Sequence, residues 1–194
     1  MSTLISVIAV VHIVNAILMA WPYYALVTVN QRARLGPPLG DRTDAYMENI
    51  IKNRTIPCFV FQITALVTGL ALIFLRGHGL DILLTNAVLG LKFVLLVFII
   101  VLLLYVHFSL QPRIDRLFAE AGDAVSDELA ARIAALRVRR KRTALICMFV
   151  VLTIATLGMQ TWEFFPVWLT VLLVIAIALF TWRAYTSETP YGWV

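Results

Sequence analysis

The chain has 194 residues, 61% of them hydrophobic and only 14% charged, with a mean hydropathy of +0.90. A soluble domain carries nearer half apolar and a quarter charged residues. The surplus excludes a disordered chain, a coiled coil and an ordinary soluble enzyme, because so apolar an outer surface is stable only against lipid.

Five apolar stretches reach the roughly 20 helical residues that a hydrocarbon core requires. They are 4–29, 57–75, 82–108, 143–162 and 166–182. Period-two alternation is absent, which argues against a transmembrane barrel. The first stretch has no basic residue before it and no small-x-small site before Trp21-Pro22, so it is expected to be a retained helix and not a signal peptide. The expected fold is all-α: one membrane domain over 1–194, a bundle of five transmembrane helices.

Charge sets the expected orientation. Loop 30–56 carries Arg32, Arg34, Arg42, Lys52 and Arg54, segment 109–142 carries eight more basic residues, and Arg183 lies in the tail. Those fourteen share one side, against Arg76 alone on the other and Lys92 within a span. By the positive-inside rule the amino terminus is outside and the carboxy terminus cytoplasmic, in a plasma membrane. The sequence pI near 9.6 then reflects orientation and attraction to anionic lipid headgroups, with no nucleic-acid partner implied. Trp21, Tyr23, Tyr24, Tyr105, Trp162, Trp168, Trp182 and Tyr185 fall where interfacial aromatics are expected.

In the first cytoplasmic loop, Gly36-Pro37-Pro38-Leu39-Gly40-Asp41 predicts a turn. Asp44 is expected to cap a short helix through Asn53, its apolar side (Tyr46, Met47, Ile50, Ile51) lying along the interface. Segment 109–141 predicts a helical hairpin extending the third and fourth spans. Ile114, Leu117, Phe118 and Ala121 repeat at helical spacing, Gly122-Asp123 break the run, and Ser126 caps a second helix with Asp127 and Glu128 in its first turn. Leu129, Ile133 and Leu136 form the facing stripe, leaving the basic faces free for lipid heads or a partner. Cys58 and Cys147 lack a Cys-x-x-Cys spacing and sit on the reducing side, so they are expected to be packing residues.

Ionisable groups at membrane depth carry the functional expectations. Lys92 lies ten residues beyond Ile82, ~15 Å into the third span, and His12 lies ~12 Å into the first. Counted from the same face, the two are matched in depth, and Asn15 follows His12 on the same helical side. They are expected to frame a polar pocket in the outer leaflet, with His78 of the outer loop a weaker member. His107, ~22 Å beyond Lys92, is expected among headgroups. For copper, the outer candidates are His12, His78 and Met159, while Met19, Cys58, Cys147 and Met148 lie deeper. No Gly-x-Ser-x-Gly, His-Glu-x-x-His, phosphate loop or dinucleotide fingerprint is present.

A His in the first span, the Leu91-Lys92 pair opening an aliphatic third span, and Pro112-Arg113-Ile114-Asp115 after it resemble the CopD-like membrane proteins, a loose group that includes the HemJ-type protoporphyrinogen oxidases. The resemblance covers the first 115 residues or so. It implies functional roles for His12 and Lys92 and a bound haem b. Three classes of function follow: haem-handling or redox chemistry of this type, a non-catalytic subunit of a larger membrane complex or homo-oligomer, and transport of copper or another solute.

Overall fold

The computed structural model describes residues 2–34, 41–121, 125–161 and 165–187. Every regular element among them is helical. In chain order these are α1 (Ser2–Leu18), α2 (Pro22–Arg34), α3 (Arg42–Asn53), α4 (Thr55–Leu75), α5 (Ile82–Thr85), α6 (Ala87–Tyr105), a π turn (Val106–Leu110), α7 (Gln111–Ala121), α8 (Asp127–Met159) and α9 (Val167–Thr186). Four continuous helical runs, 42–75, 87–120, 127–159 and 167–186, are long and apolar enough to cross a membrane, and α1 is a shorter apolar helix.

The expected first span, 4–29, is not one helix. It breaks at residues 19–21, and Pro22 opens α2. Proline has no N–H to continue the ladder and its ring crowds the preceding turn, whereas the first position of a new helix tolerates it. The expected third span, 82–108, is also interrupted. The Asn86 side chain accepts from the Val88 and Leu89 N–H groups and starts α6 afresh, separating α5. Lys92 is therefore the sixth residue of its helix, ~8 Å from that helix's start. At the other end α6 widens into the π turn immediately before Pro112, whose missing N–H leaves the preceding turn without its ordinary donor.

Other ends follow local chemistry. Asp41, and not Asp44, caps α3, its carboxylate accepting from the Asp44 N–H at 2.6 Å. Ser126 caps α8 as its sequence context predicts. Gly77, at φ +78°, ends α4: the His78 N–H bonds the Ile73 carbonyl and the Gly77 N–H bonds that of Phe74. That pairing wants a left-handed residue, and glycine takes it without strain. The expected turn at Gly36–Gly40 and the expected break at Gly122-Asp123 lie outside the described residues.

Helix α4 packs on α1 and α6, and α8 packs on α2, α6 and α9. One apolar core joins Met19, Ala65, Leu96, Ile99, Cys147 and Val151; a second joins Leu26, Met148 and Ala184. The outer surface is inverted relative to a soluble protein: Val10, Ile17, Val67, Val94, Val101 and Leu179 are all more than half exposed. Such a surface suits lipid as its solvent, and the four long apolar helices are compatible with an integral membrane protein.

Helix α7 lies antiparallel to the start of α8, since Gln111 meets Arg140 and Phe118 meets Arg137. Ile114, Leu117 and Ile133 are buried between them. Contacts sort the molecule into two ends. Arg32, Glu48, Gln111 and Arg140 converge at one, while His12, Thr68, Lys92 and Gly158 gather toward the other.

Candidate functional site

The candidate site begins on α1. His12 Nδ1 lies 2.7 Å from Thr68 Oγ1 of α4. That hydroxyl spends its own hydrogen on the Thr64 carbonyl at 2.6 Å, one turn earlier. It can therefore only accept from His12, which places the imidazole proton on Nδ1 and leaves Nε2 with an unshared pair. Gly69 faces the ring, and a Cβ there would stand 3.4 Å from His12 Cε1, in ordinary contact. Asn15, buried on the same side one turn further, is tied down by its amide N–H to the Phe61 carbonyl at 2.7 Å.

Lys92 enters from α6. Its Nζ reaches Gly158 of α8, 3.3 Å from where a Cβ would stand. The ammonium is close enough for its charge to act on the His12 ring. Among the described residues it has no hydrogen-bond or ion-pair partner. Four helices thus converge on one region: α1 and α4 supply a fixed imidazole, α6 a cation, and α8 the gap that admits it. Thr68, Gly69 and Gly158 carried no weight in the sequence reading. Their signal is small or hydroxylated residues within otherwise aliphatic spans, the composition that lets helices approach closely.

The remaining expected members stand apart. His78 is exposed in the turn after α4, and Met159 is 59% exposed at the end of α8. Among the described residues no three His, Cys, Asp or Glu side chains gather to hold a metal ion. As a donor, an imidazole with Nε2 unshared and a hydrogen bond on Nδ1 is a form in which histidine can hold a metal centre.

His107 sits in the π turn, wedged edge-on against Phe59 and Phe108, with Nδ1 3.1 Å from Thr55 Oγ1. Thr55 donates to the Lys52 carbonyl, so it too accepts from the imidazole. His107 is a hydrogen-bonded packing residue of the α4–α6 contact.

At the far end lies a feature that sequence reasoning missed. Glu48 of α3 is buried against three guanidinium groups: Arg32 at 2.8 Å, Arg137 at 3.0 Å, and Arg140 through both of its terminal nitrogens. Arg137 also holds Asp44 at 2.8 Å, with Arg32 Nε 3.8 Å from the same carboxylate. Gln111 donates to Glu48 and Asp115 and accepts from Arg140. The expectation that the basic faces of the hairpin stand free fails for Arg137 and Arg140, which are 8% and 5% exposed. Burial alone would push the Glu48 carboxyl up. The Arg140 hydrogen bond and the charges of Arg140, Arg137 and Arg32 outweigh that and hold it down at about 2. Burial, with the neighbouring Arg137 charge, brings Arg32 down to about 10. A signal existed: Asp44 and Glu48 share a face at i, i+4, and Arg137 and Arg140 continue the buried face of Ile133 at i+4 and i+7.

No family model, curated protein or solved structure matches the chain.

Proposed function

We propose that this chain is a five-span plasma-membrane protein of the CopD/HemJ-like kind whose His12–Lys92 pocket, in the outer leaflet, binds a haem-type or other redox-active ligand. In this reading α1 and the start of α2 cross the membrane together, because the 17 residues of α1 rise only ~26 Å against a core of about 30 Å. The amino terminus is outside, and α7 with the start of α8 is the cytoplasmic hairpin. One observation carries the functional reading. Two ionisable side chains from different helices turn into the bundle within electrostatic reach of each other, one fixed with an open lone pair and the other without a partner. An unpaired ammonium at membrane depth costs at least ~2.5 kcal/mol on insertion scales, so an arrangement of this kind is expected where a ligand compensates it.

Haem b, when bound, supplies one-electron chemistry in a water-poor setting. The chain's own part is defined by geometry. His12 Nε2 is the ligating atom, Thr68 holds the ring in its tautomer, and Lys92 pairs with a carboxylate of the ligand or exchanges a proton with it. The aliphatic faces of α1, α4, α6 and α8 exclude water. The test is the optical spectrum of the purified protein. A Soret band that is lost in His12→Ala and shifted in Lys92→Met supports the assignment. A colourless protein whose activity and cofactor content ignore both substitutions overturns it, and stoichiometric co-purification of other membrane subunits would then favour the structural-subunit reading.

A further inference from the structure

A concavity lies at the ion-cluster end, away from His12. It encloses about 80 Å³ within the ring of α2, α4, α6 and α8, between Val29, Cys58, Leu103, Val106 and Ala144. On the scale by which one water needs about 10–15 Å³, this is room for roughly six waters or as many methylenes. Its exposed wall is mostly apolar, with Thr55, Gln111 and Thr143 among the residues that line it. Its rim is basic: Arg54, Arg140 and Lys141 all border it.

The rim is also electrically incomplete. Three guanidinium groups of the cluster face two carboxylates. Arg54, stacked 4.9 Å over the Trp21 ring, has no acidic partner among the described residues. The Nε–H groups of Arg54 and Arg140 are buried with no acceptor, and Arg140 as a whole is 5% exposed. A buried donor left unmet is costly, and a guanidinium is matched best by a phosphate or carboxylate. An apolar channel a few methylenes deep beneath Arg54 and the unmet Nε–H of Arg140 has the complementarity of an acidic lipid.

We propose that this cavity is a binding site for an anionic phospholipid of the leaflet at the cluster end, with its phosphate on Arg54 and the cluster rim and one acyl chain running between α4 and α8. The site stands independently of the His12–Lys92 reading, sharing no residue with it. Both cysteines line the cavity, so an occupant shields them.

The experiment uses the full chain in detergent, with native mass spectrometry of complexes formed with phosphatidylglycerol or phosphatidylcholine. The expected result is retention of phosphatidylglycerol about tenfold over phosphatidylcholine, with most of that preference lost in Arg54→Gln. Ala144→Leu fills the cavity while leaving the charge in place, and it should weaken retention of phosphatidylglycerol. A readout on the unmodified chain accompanies the variants: alkylation of Cys58 by N-ethylmaleimide should slow with phosphatidylglycerol and not with phosphatidylcholine. Equal retention of the two lipids overturns the proposal. So does a preference that survives Arg54→Gln together with Cys58 alkylation indifferent to lipid. Oleate that protects Cys58 and displaces phosphatidylglycerol would assign the cavity to a free fatty acid and refute the phospholipid.

Discussion

Replacing Glu48 with Gln tests whether the buried ion cluster holds α2, α3, α7 and α8 together. The substitution keeps size and hydrogen-bonding capacity and removes one charge. Three guanidinium groups, from Arg32, Arg137 and Arg140, are then left with Asp44 as their carboxylate partner among the described residues. The displacement of the Glu48 carboxyl from 4.5 to about 2 corresponds to roughly 3 kcal/mol of preference for its charged form. Breaking a buried pair from one side costs about 3–5 kcal/mol in other proteins, which agrees. A loss of ~3 kcal/mol is more than a hundredfold in the unfolding equilibrium, read by thermal or denaturing-detergent unfolding in micelles. Lys52→Gln is the control, because the Lys52–Asp115 pair at 2.8 Å is 46% and 38% exposed and should be worth no more than about 1 kcal/mol. The acid limb gives a second reading. A carboxyl whose folded value lies below its ordinary one contributes fully above pH 4.5, and that contribution is lost as pH falls from 4.5 toward about 2. The unmodified chain should therefore weaken across that window, with the limb flattened in Glu48→Gln. If Glu48→Gln is no less stable than Lys52→Gln, and its acid limb is unchanged, the cluster does not hold these helices.

Three further outcomes follow from the geometry. Gly158→Val should crowd the Lys92 ammonium, which already approaches the Cβ position to 3.3 Å; ligand retention should fall at least as far as in Lys92→Met, and retention unaffected by Gly158→Val would remove Lys92 from the pocket. Thr68→Val deletes the acceptor that sets the His12 tautomer, so under the proposed haem reading the Soret band should shift and ligand affinity should fall by about tenfold, whereas a spectrum and affinity indistinguishable from the parent's would show that Thr68 does not orient the ring. Cysteines at positions 117 and 133 should form a cross-link on mild oxidation, because Leu117 and Ile133 are both buried where α7 runs antiparallel to α8; failure there and at neighbouring pairs would refute that packing.

The all-helical, strongly apolar character of the chain and the approximate extent of its apolar helices were legible in the residues themselves. Transfer of a side chain to lipid is a local property, summed over a window of about 20 residues. Two interruptions, at Pro22 and Asn86, were written in the sequence too, but a window average hides a single missing donor or a single cap. Matched depth and the cost of an unpaired charge gave the expectation that His12 and Lys92 share a site, and the structure sets the Lys92 charge within electrostatic range of the His12 ring. Which side of each helix they occupy, and that Thr68 fixes one while Gly158 admits the other, depended on how α1, α4, α6 and α8 rotate against one another. The ion cluster was the least legible feature. Arg140 and Glu48 lie 92 positions apart, and an arginine near a span reads equally well as a lipid anchor. Only the packing of α3 onto α2 and of α7 onto α8 removes water from those charges, and the removal of water turns a solvated basic surface into a buried ion-pair network.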